Sequence, residues 1–178
     1  SYIPTNGSTV QRAAETCNGS GNSEVFNDSQ GVLFANTSIF SNDGTSRRIS
    51  LTDGTISNRV SMEFDEIANT LKLFIDSSVL IANNLNLTNF SKISAKYKAN
   101  DYALWVNGFE VVTSTTSSNV PSGLDRLNFD GGDLNNDFYG KTKEIAYYDE
   151  ILTDLELETL TSYRSLNEMV TELNLNAL

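Results

Sequence analysis

The stretch Tyr102–Ile151 reads YALWVNGFEVVTSTTSSNVPSGLDRLNFDGGDLNNDFYGKTKEIAYYDEI, and it decides the fold. Tyr102–Val106 is rich in β-formers and ends at Asn107-Gly108, after which Phe109–Thr113 resumes the same character. Asn-Gly tolerates positive φ at both central positions of a type I′ turn, so the pair joins two antiparallel strands. A polar loop closes at Pro121, and a third strand is predicted over Leu124–Phe129. The acidic glycine loop Asp130–Asp137 then leads to a fourth strand, Lys143–Tyr148. Strands joined by turn chemistry, with no helical period between them, predict antiparallel β structure.

The same pattern extends upstream. Strands are predicted over Gly31–Phe40, Arg48–Thr52, Arg59–Phe64, Thr70–Ile75, Val79–Ala82 and Phe90–Lys98, with Val25-Phe26 opening a further one. Asp53-Gly54 is a second hairpin signal. In Arg59–Phe64, Val60, Met62 and Phe64 alternate with Ser61 and Glu63, which reads as a half-buried strand with one wet face. Short strands at near-regular spacing, almost without helix, predict an all-β sandwich or jelly roll. One helix is expected from Asp154 to about Leu173. Thr153 and Glu156 form its capping box, and Leu157, Leu160, Leu166, Met169, Val170 and Leu173 fall near a helical period. Its last part, Asn167–Leu178, reads either as a frayed terminus or as a self-association helix.

The organisation expected is an extended arm or linker over residues 1–23, a jelly-roll domain over 24–166 and a helical tail over 167–178. The chain begins at Ser1 without methionine, which reads as a fragment or a processed product. No apolar run reaches the roughly 18 residues of a membrane span.

Composition narrows the chemistry. Lys and Arg number 12 against 23 Asp and Glu, a net charge of −11, which opposes binding to a phosphate backbone. With no His, triads and zinc sites that need imidazole are excluded. Cys17 is alone, so no intrachain disulfide forms. Sequons at Asn6, Asn18, Asn27, Asn36, Asn86 and Asn89 carry meaning only in a eukaryotic secretory pathway.

Three candidate sites remain. Glu63 and Asp65 share one face of a strand, as paired carboxylates of a retaining glycosidase would. Laminarinase-like enzymes carry a Glu-x-Asp-x-(x)-Glu string on such a strand. Here the third acid falls on Ile67 or Ala68, so a noncatalytic role is expected and a glycan-depolymerising hydrolase is the weaker alternative. In the acidic loop, Asp130, Asp133, Asn135 and Asp137 offer oxygen ligands that suit calcium, although the spacing matches no EF-hand. The alternative is an acidic turn between two strands. Finally, Trp105, Asn107, Tyr139 and Tyr147 supply stacking and amide groups for carbohydrate, with core packing as the other role open to Trp105.

Two resemblances follow from these residues. Ala103–Gly108 (ALWVNG), Phe138-Tyr-Gly140, Lys143–Tyr148 (KEIAYY) and Leu152–Glu156 (LTDLE) resemble, in this order, the C-terminal half of concanavalin A-like, laminin-G-like jelly-roll domains. Phe129 stands where that family usually has glycine. Ser1–Ala14, SYIPTNGSTVQRAA, is similar to a segment of bacteriophage and prophage tail and virion proteins, with Gln11 in place of the usual Thr. Together they imply a noncatalytic carbohydrate-binding domain on a virion surface or otherwise extracellular, attaching to host-surface glycans. The acidic loop adds calcium as the one candidate cofactor, and a fibre or spike setting adds a homo-oligomer such as a trimer and contact with other virion subunits. The competing implication is a structural or oligomerisation module.

Overall fold

The structure, a computed structural model, describes residues 20–172. The arm expected over residues 1–23 lies mostly outside this range, as does the end of the helical tail. Among the described residues, ten strands form two five-stranded antiparallel sheets. Sheet A has the order β10-β1-β6-β7-β8, from Gly140–Tyr148, Gln30–Ile39, Ser91–Lys98, Tyr102–Val106 and Phe109–Ser114. Sheet B has the order β5-β4-β3-β2-β9, from Ser78–Ala82, Leu71–Ile75, Arg59–Phe64, Arg47–Thr52 and Arg126–Asn128. The expected all-β sandwich is present.

The core fills the space between the sheets. Leu33, Ala35, Ile93, Ala95, Tyr97 and Leu104 from sheet A meet Ile49, Leu51, Val60, Met62, Phe64, Leu71 and Leu73 from sheet B. Each recurs every second residue, because a strand turns alternate side chains to opposite faces. Full burial of a Leu, Ile or Phe contributes about 1.5–3 kcal/mol, so this layer supplies most of the driving force.

The β7–β8 turn forms as its residues dictate: Asn107 has φ 52° and Gly108 φ 87°. Gly108 N–H donates to Thr161 Oγ1 at 3.1 Å, and a Cβ at Gly108 would lie 2.7 Å from Ser162 Oγ, so this glycine lets the C-terminal segment dock on the hairpin.

Four expectations need correction. Val25 and Phe26 open no strand; their N–H groups both bond to Asn22 O in a turn, and Phe26 packs edge-on against Tyr147 at 5.1 Å. The third strand of the deciding stretch shrinks to Arg126–Asn128, because the N–H groups of Gly123 and Leu124 are taken by the Asp28 carboxylate instead of a ladder. The single helix is two: α1, Asp154–Thr161, and α2, Leu166–Glu172. The capping box of Thr153 and Glu156 starts α1 as expected, but Ser162 is extended (φ −75°, ψ 157°) and Leu166 is exposed, so the apolar stripe does not run through. Lastly, Arg59–Phe64 has no wet face: all six residues are buried.

Helix α1 lies across β6, β7 and β8 on the outer face of sheet A. There Leu157 joins Val32, Ala103 and Trp105 in a second apolar cluster, with Tyr148 and Leu152 at its margin. The outer face of sheet B receives no such helix among the described residues.

Candidate functional site

That face, over which no helix lies among the described residues, carries polar residues in register. Since Val60, Met62 and Phe64 point inward, Arg59, Ser61 and Glu63 point outward, and the strand pairings extend the set sideways. One row runs Ile81, Lys72, Glu63, Arg48, and the next Val79, Phe74, Ser61, Ser50, Asn128. A third places Arg59 beside Thr52 and Arg126. Four of the chain's 12 basic residues therefore sit on one face of an otherwise strongly acidic protein.

The charges are unevenly paired. Arg48 donates through Nε to Glu63 Oε2, and Lys72 Nζ lies 2.8 Å from Asp65 Oδ2 and 3.8 Å from Glu63 Oε1. Arg126 is bonded to Asp125. Among the described residues Arg59 has no ion pair; it is 7% exposed, and its Nε and Nη1 have no hydrogen-bond partner there. Burial, followed by the neighbouring Arg48 charge, holds its pKa below the usual arginine value. Both guanidiniums lie against the Phe74 ring, Arg59 at 4.6 Å and Arg48 at 5.5 Å from its centroid. An aromatic face supports cations in this way through its quadrupole.

The acidic loop forms one wall. Arg48 N–H donates to Asn136 O at 2.9 Å and Ser50 Oγ–H to Asp130 O at 2.6 Å, which ties the loop to β2. A Cβ on Gly131 would lie 3.0 Å from Arg48 Nη1, so a glycine lets the loop backbone close on the guanidinium.

An unpaired, desolvated guanidinium edge beside an aromatic ring can take a planar anion and a ring's apolar face together. The carboxylates have no comparable freedom. Glu63 and Asp65 do share a face, as expected, yet Arg48 and Lys72 hold them.

The residues anticipated for carbohydrate do not gather. Trp105 is 7% exposed between sheet A and α1, which leaves its ring no open face. Asn107 is held inside its turn, accepting from Lys92 N–H and donating to Ser91 Oγ. Tyr147 OH bonds to Tyr97 OH and Asn27 N–H at the core's edge; Tyr139 is exposed. In the acidic loop, Asp130 Oδ1 accepts from Gly132 N–H, and Asp133 accepts from the Asn135 backbone and side chain. Among the described residues no three acidic, His or Cys groups converge, so Asp130, Asp133 and Asp137 form no such cluster. Arg48, Arg59 and Phe74 were missed. Their signal lay in the polar alternation of three neighbouring strands, and only the register brings them together.

No protein-family model matches the chain, and no curated protein does. Solved structures do. The CBM40 carbohydrate-binding module of the Ruminococcus gnavus IT-sialidase, bound to α2,6-sialyllactose, superposes with a TM-score of 0.65 at 16% identity, over 86% of this chain and 98% of that one. The leech intramolecular trans-sialidase gives 0.62 at 16% identity, over 78% of this chain and 24% of that one. The SAP-like pentraxin of Limulus polyphemus gives 0.59 at 15% identity, over 77% and 71%. The shared property is the fold. This chain is an all-β sandwich with a jelly-roll-like fold.

Proposed function

We propose that the chain is a noncatalytic carbohydrate-binding domain that takes an acidic sugar on the outer face of sheet B. One observation carries this reading: Arg59 is buried against Phe74 with Nε and Nη1 unpartnered. Leaving such a charge unsatisfied costs several kcal/mol, and a ligand carboxylate removes the cost while an apolar sugar face covers the ring. The CBM40 neighbours were solved with sialyllactose, an acidic glycan of the class this face suits. A noncatalytic role is supported by the engagement of Glu63 and Asp65 with Arg48 and Lys72, and by the absence of a third acid at Ile67 or Ala68.

The setting we propose is host attachment by a bacteriophage virion or tail protein, on the strength of the Ser1–Ala14 resemblance. A homo-oligomer such as a trimer and a calcium ion on Asp130, Asp133, Asn135 and Asp137 belong to the same proposal.

The test is calorimetric titration of the protein with sialyllactose and with lactose, in calcium and again in EDTA. Saturable binding of sialyllactose, at least about tenfold tighter than lactose, is the expected result. Equal or absent binding of the two contradicts the reading. Loss in EDTA with recovery in calcium would assign a metal to the acidic loop.

A further inference from the structure

The charge count on this face leaves room for one anion. Arg48 is matched by Glu63 and Lys72 by Asp65, so a single cationic edge, on Arg59, is unclaimed. Beside it stands a carboxylate with an unusual placement. Asp133 Oδ1 and Arg48 Nη1 each lie 3.0 Å from the point a Gly131 Cβ would occupy, so the two are no more than twice that distance apart. Yet Asp133 makes no ion pair with either arginine. Its oxygens accept instead from Asn135 N–H at 3.3 Å and Asn135 Nδ2 at 2.9 Å. Those bonds, with the loop anchored through Asn136 O and Asp130 O, fix an exposed negative charge at the rim of the face. Its field reaches Arg59 as well as Arg48. It remains ionised through neutral pH, because the Asn135 bonds hold its pKa below the usual carboxylate range.

We infer that Asp133 sets the charge selectivity of this face, admitting a ligand with one carboxylate and discriminating against polyanions. The inference rests on the acidic-sugar reading above. A lone carboxylate seated on Arg59 gains more from the guanidinium edge than it loses to Asp133. Each further negative charge on the ligand finds no unpaired cation and meets Asp133 instead. Specificity of this kind comes from a repulsive element as much as from an attractive one.

The experiment compares the wild type with Asp133→Asn, and with Glu110→Gln as a control. Glu110 is an exposed carboxylate on β8 of the other sheet, so its loss changes net charge by the same amount. Titrations use sialyllactose and a heparin oligosaccharide at one fixed ionic strength. Asp133→Asn is expected to tighten sialyllactose by no more than about threefold and heparin by about tenfold or more, since each added ligand charge feels the removed one. Glu110→Gln is expected to move neither. Equal gains for both ligands in Asp133→Asn, or the same pattern in Glu110→Gln, would overturn the inference while leaving the acidic-sugar reading intact. No binding of sialyllactose by any of the three proteins would overturn both.

Discussion

The two outer faces of this sandwich begin alike and are finished differently. On sheet A, Lys92 and Lys96 project outward, and both are tied to carboxylates: Lys92 to Glu168, and Lys96 to Asp101 and Asp154. Helix α1 closes that face with Leu157 over Trp105 and Val32. The buried groups left without partners there, Asn36 Oδ1, Ser94 Oγ and Trp105 Nε1, are neutral. On sheet B no helix arrives among the described residues, and the groups left over include, beside the neutral Ser61 Oγ, the Arg59 guanidinium. A neutral orphan costs about 1–3 kcal/mol and a charged one more, so the second face retains a stronger demand for an outside partner. One face is finished by the chain; for the other we propose that a ligand completes it.

Mutations at Trp105 and Arg59 separate these roles most sharply. Trp105→Ala is expected to destabilise the fold by about 3–5 kcal/mol, the usual cost of emptying a large aromatic site. Sialyllactose affinity should stay unchanged under native conditions. Urea denaturation and calorimetry read the two effects, and intact stability with lost binding would restore Trp105 as a sugar platform. Arg59→Met should do the reverse. Affinity is expected to fall on the order of a hundredfold, while the thermal midpoint holds or rises because a buried unpaired charge is gone. A lowered midpoint with unchanged affinity would show that Arg59 serves the fold.

A smaller effect is expected at the start of α1. Thr153→Ala removes the side chain that accepts from Glu156 N–H and should cost about 1 kcal/mol, visible as a lower denaturation midpoint without any change in binding. The smallest is a pH effect. The carboxyls of Glu156 and Glu168 titrate below their usual value, chiefly through hydrogen bonds from Thr153 and Lys92 respectively. A depressed folded pKa means stability that is present above the unfolded pKa, about 4.3, and is lost as pH falls through the folded one. The midpoint of unfolding should therefore be flat above about pH 5 and decline below about pH 4. A decline that begins near neutrality would contradict this assignment.

Much of the architecture was readable in the chain. Asn107-Gly108 named its turn, Thr153 and Glu156 named a helix start, and the alternation Val60, Met62, Phe64 named the inward face of β3. What alternation cannot say is what covers the other face. Arg59, Ser61 and Glu63 read as solvated because each is polar, yet their burial depends on Arg48 from one neighbour and Phe74 from the other. Those partners are 11 and 15 residues distant in sequence and meet only through register. The break at Ser162 was hidden for a similar reason. Thr161 caps the α1 docking by accepting from Gly108 N–H, a long-range bond with no local signature. Trp105 illustrates the converse: its sequence neighbours favoured a core role over a sugar role without saying what would cover the ring, and a helix some 50 residues later does so.

The measurement that tests the central claim most directly is a two-dimensional ¹⁵N–¹H correlation spectrum recorded during titration with sialyllactose. The account predicts progressive shifts of the backbone amides of Arg48, Ser50, Arg59, Ser61 and Phe74, with those of Trp105, Asn107 and Leu157 unmoved. Shifts confined to sheet A and its helix, or no shifts at ligand concentrations that saturate binding in calorimetry, would contradict it.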